Sequence, residues 1–364
     1  MKEKSENKEK LLLLSNVFNP YRIPVFTEIA KKYDLKVVWV QKQVKFNPWE
    51  FTLSDPNFEY RSRLGNIFSF IKDLKQYKVI VFGGYAPLKL LMLLFLVKLM
   101  RKKTVMWYGL KNNEVYPDGL LRILKKKLVH MIPDVFVTYG SYITEYIKKR
   151  FNVRGEDIVT AVNVGQVEYF RSQMLKSIKE SGQEQKKQIN LITVSRLIKK
   201  KGVLLLIEAV SELEEKDFKL LIVGTGPQMA TLKKKIVALG IQNKVEITGF
   251  VSRSELTRYY QDSDIFILPT LTDPFSISSS EAISSGLFSL ISKFDNASYD
   301  LVKSGINGFV FDPLDKKNFK MVLTEALNLY RSGKINKEDI SSSIKDFSEQ
   351  FYASKVIEAI NKVI

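Results

Sequence analysis

Leu191-Ile-Thr-Val-Ser-Arg196-Leu-Ile-Lys-Lys-Lys201-Gly202 passes from an apolar run into a basic turn and then into a helical pattern. A strand that empties into a helix is half of an α/β unit, and it needs further strands and helices to cover it. The chain supplies them in both directions. Apolar runs at 189–194, 220–223, 245–247, 265–268, 288–291 and 308–311 alternate with helical patterns on one side. Runs at 11–14, 35–40, 79–82, 104–107, 135–137 and 158–162 do the same on the other. The alternation predicts an α/β protein of two Rossmann-like domains with mostly parallel sheets, and the default ligand position is a cleft at the carboxyl ends of the strands. The expected domains are residues 1–186, a first domain with its linker, and residues 187–346. A terminal helix over 347–364 caps the second domain or crosses back to the first. Between the two series of strands, 168–188 is rich in Lys and Gln and contains Ser181-Gly182, which reads as a linker with some helix.

Composition narrows the chemistry. A chain of 364 residues, 45% hydrophobic and 12% aromatic, suffices for two packed cores. It has no Cys and a single His, His130, which excludes disulfides and Cys/His zinc sites. The net charge of +18 is uneven, with +15 in residues 1–180 and +3 in the remainder. Such asymmetry suits an anionic surface or partner met by one domain. The apolar stretch 88–100 carries Lys89 and Lys98 and falls short of the ~20 residues that span a bilayer. The start, 1–10, is charged, and 11–14 runs into Ser15 and Asn16 without a cleavage signal. The expected location is the cytoplasm, peripheral to the inner face of the membrane. Lys98, Arg101, Lys102 and Lys103 beside the apolar run, and the basic segment 124–131 around His130, suit contact with anionic lipid. An ordinary buried helix with a charged end is the alternative reading of the same residues.

Cations at the start of a helix oppose its dipole, and a bound polyanion relieves that conflict. Arg196 and Lys201 stand in that position. Val223-Gly-Thr-Gly226-Pro227 is a Gly-rich turn without the third Gly of a dinucleotide fingerprint, so Gly224 and Gly226 let backbone approach a ligand closely or simply turn. In Leu268-Pro-Thr-Leu-Thr-Asp273-Pro-Phe-Ser-Ile-Ser-Ser-Ser-Glu281, Asp273 falls in the loop after a strand, while Glu281 falls more than a turn into the next helix. Backbone N–H groups of Phe275, Ser276, Ile277 and Ser278 open that helix, where anions bind. Asp262-Ser-Asp264 mimics a metal-binding acidic pair, but it precedes its strand, and helix termination accounts for it as well. His130 is a candidate general base or a residue of a helix face.

Taken in order, Arg196, Lys201-Gly202, Gly224-Thr-Gly226-Pro227, Gly249-Phe250, Asp273-Pro-Phe-Ser276, Glu281-Ala282, Gly305-Ile-Asn-Gly308 and Asp312-Pro313 resemble the GT-B glycosyltransferases of family 4 over most of 189–330. Upstream, Asn16-Val-Phe-Asn-Pro20-Tyr-Arg22 resembles the opening of bacterial cell-surface polysaccharide members, and Tyr139-Gly-Ser and Asn163 resemble the end of their first domain. The resemblance implies two domains facing across a cleft and retaining hexosyl transfer without a metal or other cofactor. The implied donor is a UDP- or GDP-sugar, and the implied acceptor a glycan or lipid-linked glycan for a surface polysaccharide. It assigns Arg196 and Lys201 to the donor diphosphate, Glu281 to the ribose and Asp273 to the transferred sugar. Asn16 and Arg22 are the candidates for the acceptor side. The sequence departs from the family pattern at Asp273, where Glu is usual, at Ser276, where Gly is usual, and at Asp295-Asn-Ala-Ser, where Gly-Gly is usual. It also lacks a first-domain His near 107–110. A non-catalytic nucleotide-sugar or glycan-binding protein and a sugar-nucleotide epimerase are the rival readings. Nucleic-acid binding rests on charge alone and is not expected.

Overall fold

A computed structural model describes residues 8–16, 19–39, 59–62, 67–84, 88–109, 119–181, 188–215 and 217–364. Val40 of one expected strand, Gly182 of the expected linker and the expected boundary at 186/187 lie outside these residues. The chain divides into two compact units. One holds the described residues up to Asn163 together with Glu349–Ile364, and the other holds Val164–Ser348.

In the first unit, strands β1 (Lys10–Ser15), β2 (Asp34–Trp39), β3 (Glu59–Ser62), β4 (Val79–Gly83), β5 (Lys103–Tyr108), β6 (Val135–Thr138) and β7 (Ile158–Thr160) form a parallel sheet in the order β3-β2-β1-β4-β5-β6-β7. The helices between them are α1 (Ile23–Lys32), α2 (Ile67–Leu74), α3 (Leu88–Leu99), α4 (Leu120–His130) and α5 (Ser141–Phe151). Successive strand residues point to opposite faces, so a sheet covered on both sides needs an unbroken apolar run. Leu11 and Leu13 pack with Val37, Val81 and Val105 on one face. Leu12 and Leu14 pack with Ile80, Phe82 and Met106 on the other. The first face is covered by α1, and the second by α2 to α5. β3 escapes a reading based on apolar runs because Glu-Tyr-Arg-Ser is polar. Among the described residues it is an edge strand, paired with β2, and polar residues are tolerated at an edge.

The second unit begins with α6 (Val167–Ser181), which occupies much of the expected linker. Its sequence looks polar because one stripe alone is buried, through Val167, Phe170 and Met174. Strands β8 (Ile189–Val194), β9 (Phe218–Val223), β10 (Val245–Gly249), β11 (Ile265–Leu268), β12 (Phe288–Ser292) and β13 (Gly308–Phe311) form a second parallel sheet, ordered β10-β9-β8-β11-β12-β13. Helices α7 (Val203–Ser211), α8 (Met229–Ala238), α9 (Arg253–Asp262), α10 (Ile277–Ser284), α11 (Ser298–Leu301), α12 (Lys316–Arg331) and α13 (Lys337–Ser342) complete it. The order reverses between β8 and β11, the topological position where such sheets hold ligands. The terminal helix α14 (Glu349–Asn361) returns to the first unit, where Tyr352, Val356 and Ile360 pack beside Phe26 and Ile29 of α1.

Candidate functional site

The loops after β8, β9 and β11 are stitched together by backbone. Leu197 N–H donates to Thr225 O at 2.9 Å, Gln228 N–H to Leu197 O at 3.0 Å, and Leu271 N–H to Lys200 O at 2.8 Å. Gly224 has φ +140°, and a Cβ there would stand 1.9 Å from Ser195 O. A Cβ on Gly226 would stand 2.4 Å from Leu197 O, and one on Gly202, at φ +66°, 2.0 Å from Pro269 O. Glycine is required at these three positions by the neighbouring loop. The close approach read from the sequence at Gly224 and Gly226 is to the protein's own carbonyls.

This packing sets Lys201 against Asp273. The Lys201 ammonium pairs with Asp273 Oδ2, and both side chains are largely buried. Arg196, on the same loop, is exposed. Asp273 Oδ1 also accepts the Phe275 N–H at 3.1 Å, and its backbone N–H donates to Phe294 O at 3.0 Å. Beside it is a second carboxylate, Asp295, which is fully buried. Asp295 Oδ1 accepts the N–H groups of Ser276 at 3.2 Å and Ala297 at 3.0 Å, and Oδ2 accepts the Ser276 hydroxyl, which also meets the Ser279 hydroxyl. Burial, and then the charge of Asp273, push the Asp295 carboxyl well above the usual carboxylate range.

Three of the departures from the family pattern, Asp273, Ser276 and Asp295, are therefore one connected network. Spacing along the chain reveals nothing of this, since Asp295 follows a different strand from Asp273. The network also occupies two of the four expected donors, because the N–H groups of Phe275 and Ser276 already serve Asp273 and Asp295. Ile277 and Ser278, the first residues of α10, are half-buried.

Glu281 is the fifth residue of α10, a helix that packs closely because Ser279, Ser280 and Ser284 are buried and small. The fully buried Tyr260 of α9 donates its hydroxyl to Glu281 Oε2 at 3.4 Å. Burial raises the Glu281 carboxyl to about 7, with the Tyr260 hydrogen bond and the Arg253 charge acting against the rise. Arg253 itself lies over the Tyr169 ring at 3.6 Å. Gly165 closes the other side. Its N–H donates to Ser280 Oγ at 3.0 Å, and a Cβ on it would come within 3.2 Å of Glu281 Oε1 and 2.6 Å of the Ile277 side chain. Tyr260 and Gly165 escape sequence reasoning because neither belongs to a motif.

The remaining candidates serve other ends. Asp264 Oδ2 accepts the Asn190 N–H at 2.8 Å and Asp262 O accepts the Asn190 side-chain amide at 2.8 Å, so this pair ties α9 to β8. Among the described residues no group of three His, Asp or Glu is placed to hold a metal. His130 is buried, with Nδ1 at 2.6 Å from Lys126 O and its ring stacked on Phe151 at 3.8 Å. Burial lowers it to about 4, which leaves a neutral ring in a packed helix. Arg22, only 5% exposed, lies 4.7 Å from the Trp107 ring, 4.8 Å from Tyr352 and 5.2 Å from Tyr139, and its Nη1 has no acceptor. Asn16 is in the same unit, its amide against Gly84, which has φ +123°.

Residues 176–344 match the model of the family Glycosyl transferases group 1. An uncharacterized glycosyltransferase of Methanocaldococcus jannaschii is 32% identical over 119 residues, covering 32% of this chain and 30% of the relative. The amylovoran biosynthesis glycosyltransferase of Erwinia amylovora is 28% identical over 143 residues, covering 37% of this chain and 35% of the relative. The chain thus spans about a third of the length of these curated relatives. A crystal structure of the Anabaena protein HepE in complex with UDP and glucose superposes with a TM-score of 0.74 at 16% identity, over 98% of this chain and 100% of that one. The likeness establishes the fold, the α/β GT-B architecture of two Rossmann-like units.

Proposed function

We propose that this chain, which belongs over residues 176–344 to the glycosyl transferases group 1, moves a hexose from a UDP- or GDP-sugar to a glycan or lipid-linked glycan of a surface polysaccharide. The proposed reaction keeps the anomeric configuration and uses neither a metal nor another cofactor. The observation that carries the reading is the pairing of Lys201 with Asp273 at the switch in strand order, with Glu281 on the helix that follows. A diphosphate offers Lys201 two negative charges where Asp273 offers one. In this reading Lys201 exchanges partners when donor binds, and the exposed Arg196 reaches the same phosphates. Both cations then stabilise charge as it builds on the departing nucleoside diphosphate, which is electrostatic catalysis by groups already in place.

Asp273, released from Lys201, orients the transferred sugar. Glu281 accepts hydrogen bonds from the ribose hydroxyls, which favours its ionised form. Gly224 and Gly226 hold the loop that borders the phosphates, and the start of α10 at Ile277 and Ser278 offers its dipole to them. Asn16 and Arg22 are the acceptor-side residues of the proposal. That HepE was crystallised with UDP and glucose supports a UDP-sugar as the first donor to test.

The test is titration calorimetry with UDP and GDP on the wild type, Lys201→Ala and Glu281→Ala, followed by nucleoside diphosphate release from a panel of donors. Each substitution is expected to weaken binding at least tenfold. Unchanged affinity in both variants overturns the donor site. Donor turnover that yields an epimer without acceptor overturns transfer.

A further inference from the structure

We infer that α3 and α4 of the first unit form a platform that docks on an anionic lipid bilayer. The platform is a surface of this unit alone, and it stands whether or not the second unit transfers sugar. α3 buries Leu90, Leu91, Leu93, Leu94 and Val97 against the sheet. Its opposite side is apolar as well: Leu88, Met92, Phe95 and Leu99 follow one another at spacings of four, three and four, a single helical stripe turned to solvent. Leu88 is 67% exposed and Leu99 82%. α4 repeats the device with Leu124, Leu128 and the following Met131, spaced four and three, Met131 being 82% exposed.

The two stripes lie on the same side of the unit. α3 and α4 connect β4 to β5 and β5 to β6, which are adjacent strands, and both helices pack into the core on one face of the sheet. The Lys98–Asp134 ion pair, at 2.9 Å, ties the end of α3 to the segment after α4. Of the fifteen large apolar side chains exposed among the described residues, seven belong to these two stripes. Contiguous exposed apolar surface of this kind marks an interaction site.

Charge selects the occupant. Residues 88–103 and 119–131 hold nine Lys and Arg and no Asp or Glu. Lys89, Arg101, Lys103 and Lys127 are exposed among the apolar side chains, and Met131 borders a hollow lined by Lys103 and Lys362 and by the ion pairs Lys98–Asp134 and Arg154–Asp157. A second copy of the chain would bring like charge against like. A bilayer with anionic headgroups accepts both properties, the apolar stripe entering the acyl boundary and the cations resting at headgroup level. No helix among the described residues is long and apolar enough to cross a membrane, so contact is to the surface.

The test is co-sedimentation of the full chain with vesicles of phosphatidylglycerol and of phosphatidylcholine, at low and high salt. Binding is expected with phosphatidylglycerol, weakening as salt rises. With each exposed cation contributing about 1 kcal/mol, the triple substitution Lys89→Gln, Arg101→Gln and Lys127→Gln should lower partitioning about a hundredfold. Met92→Glu with Leu128→Glu should abolish it while leaving UDP affinity and the unfolding midpoint unchanged. Three outcomes overturn the platform: no binding to phosphatidylglycerol, equal binding to both lipids, or a dimer in sedimentation equilibrium that Met92→Glu dissociates.

Discussion

The two units bury charge in opposite ways. The second holds Lys201, Asp273 and Asp295 in a network of ion pair and hydrogen bonds, with Glu281 of α10 against Tyr260 of α9. The first buries Arg22 among Trp107, Tyr139 and Tyr352, and a neutral His130 against Phe151, with no ion pair to a carboxylate of the described residues at either. A buried carboxylate network must be complete to be tolerated, and it changes state when an anion competes for its cation. A cation among rings keeps its environment whatever the solution offers. The difference places exchangeable chemistry in the second unit.

The largest effect that would break this comparison is expected from Lys201→Ala. It leaves Asp273 beside Asp295 without a counter-charge, which should cost about 3 kcal/mol in urea denaturation and weaken UDP binding at least tenfold. A variant as stable as the wild type would mean that the network does not need its cation.

Next in size is a pair of opposite pH slopes. Glu281 is raised to about 7 in the folded chain from an ordinary value of 4.5. The folded state therefore holds a proton that the unfolded state releases, and stability should fall as pH rises from about 4.5 to 7. Glu281→Gln should flatten that fall, worth on the order of 2 kcal/mol across the window. His130 is lowered to about 4 from 6.5, so the unfolded state takes up the proton first. Its contribution is complete above pH 6.5 and lost as pH falls toward 4. His130→Phe should therefore gain about 1–2 kcal/mol relative to the wild type at pH 5 compared with pH 8. Chemical denaturation at pH 5, 6, 7 and 8 checks both slopes, and equal slopes in the two variants would remove the distinction between the units.

The two sheets could be read from the chain because each buried parallel strand is an apolar run. The exceptions have physical causes: β3 is a polar edge, and α6 hides a buried stripe of three residues in a polar segment. Lys201, Asp273 and Glu281 were readable as a spaced set because strand-to-helix turns bring such positions to one end of a sheet. Asp295, Tyr260 and Gly165 were not, since their contacts are made across β12, α9 and the entry to α6. The N–H groups of Phe275 and Ser276 read as free because nothing in the spacing says that Asp273 and Asp295 occupy them.

Arg22→Met sharpens the comparison with the smallest expected effect. The substitution removes contacts with the rings of Tyr21, Trp107, Tyr139 and Tyr352, each worth roughly 0.5–1 kcal/mol, and in return relieves a guanidinium of burial with Nη1 unsatisfied. Because no carboxylate among the described residues is ion-paired to it, none of them is left stranded when the charge goes. The two terms oppose each other, and the net change in unfolding free energy should stay within about 1 kcal/mol. UDP affinity should not move, because Arg22 belongs to the other unit. Transfer to acceptor should fall if Arg22 lies on the acceptor side, so a stable variant with normal UDP binding and lost transfer separates that role from packing. A destabilisation as large as that of Lys201→Ala would show that Arg22 is held by a charge after all, and that the two units bury their cations alike.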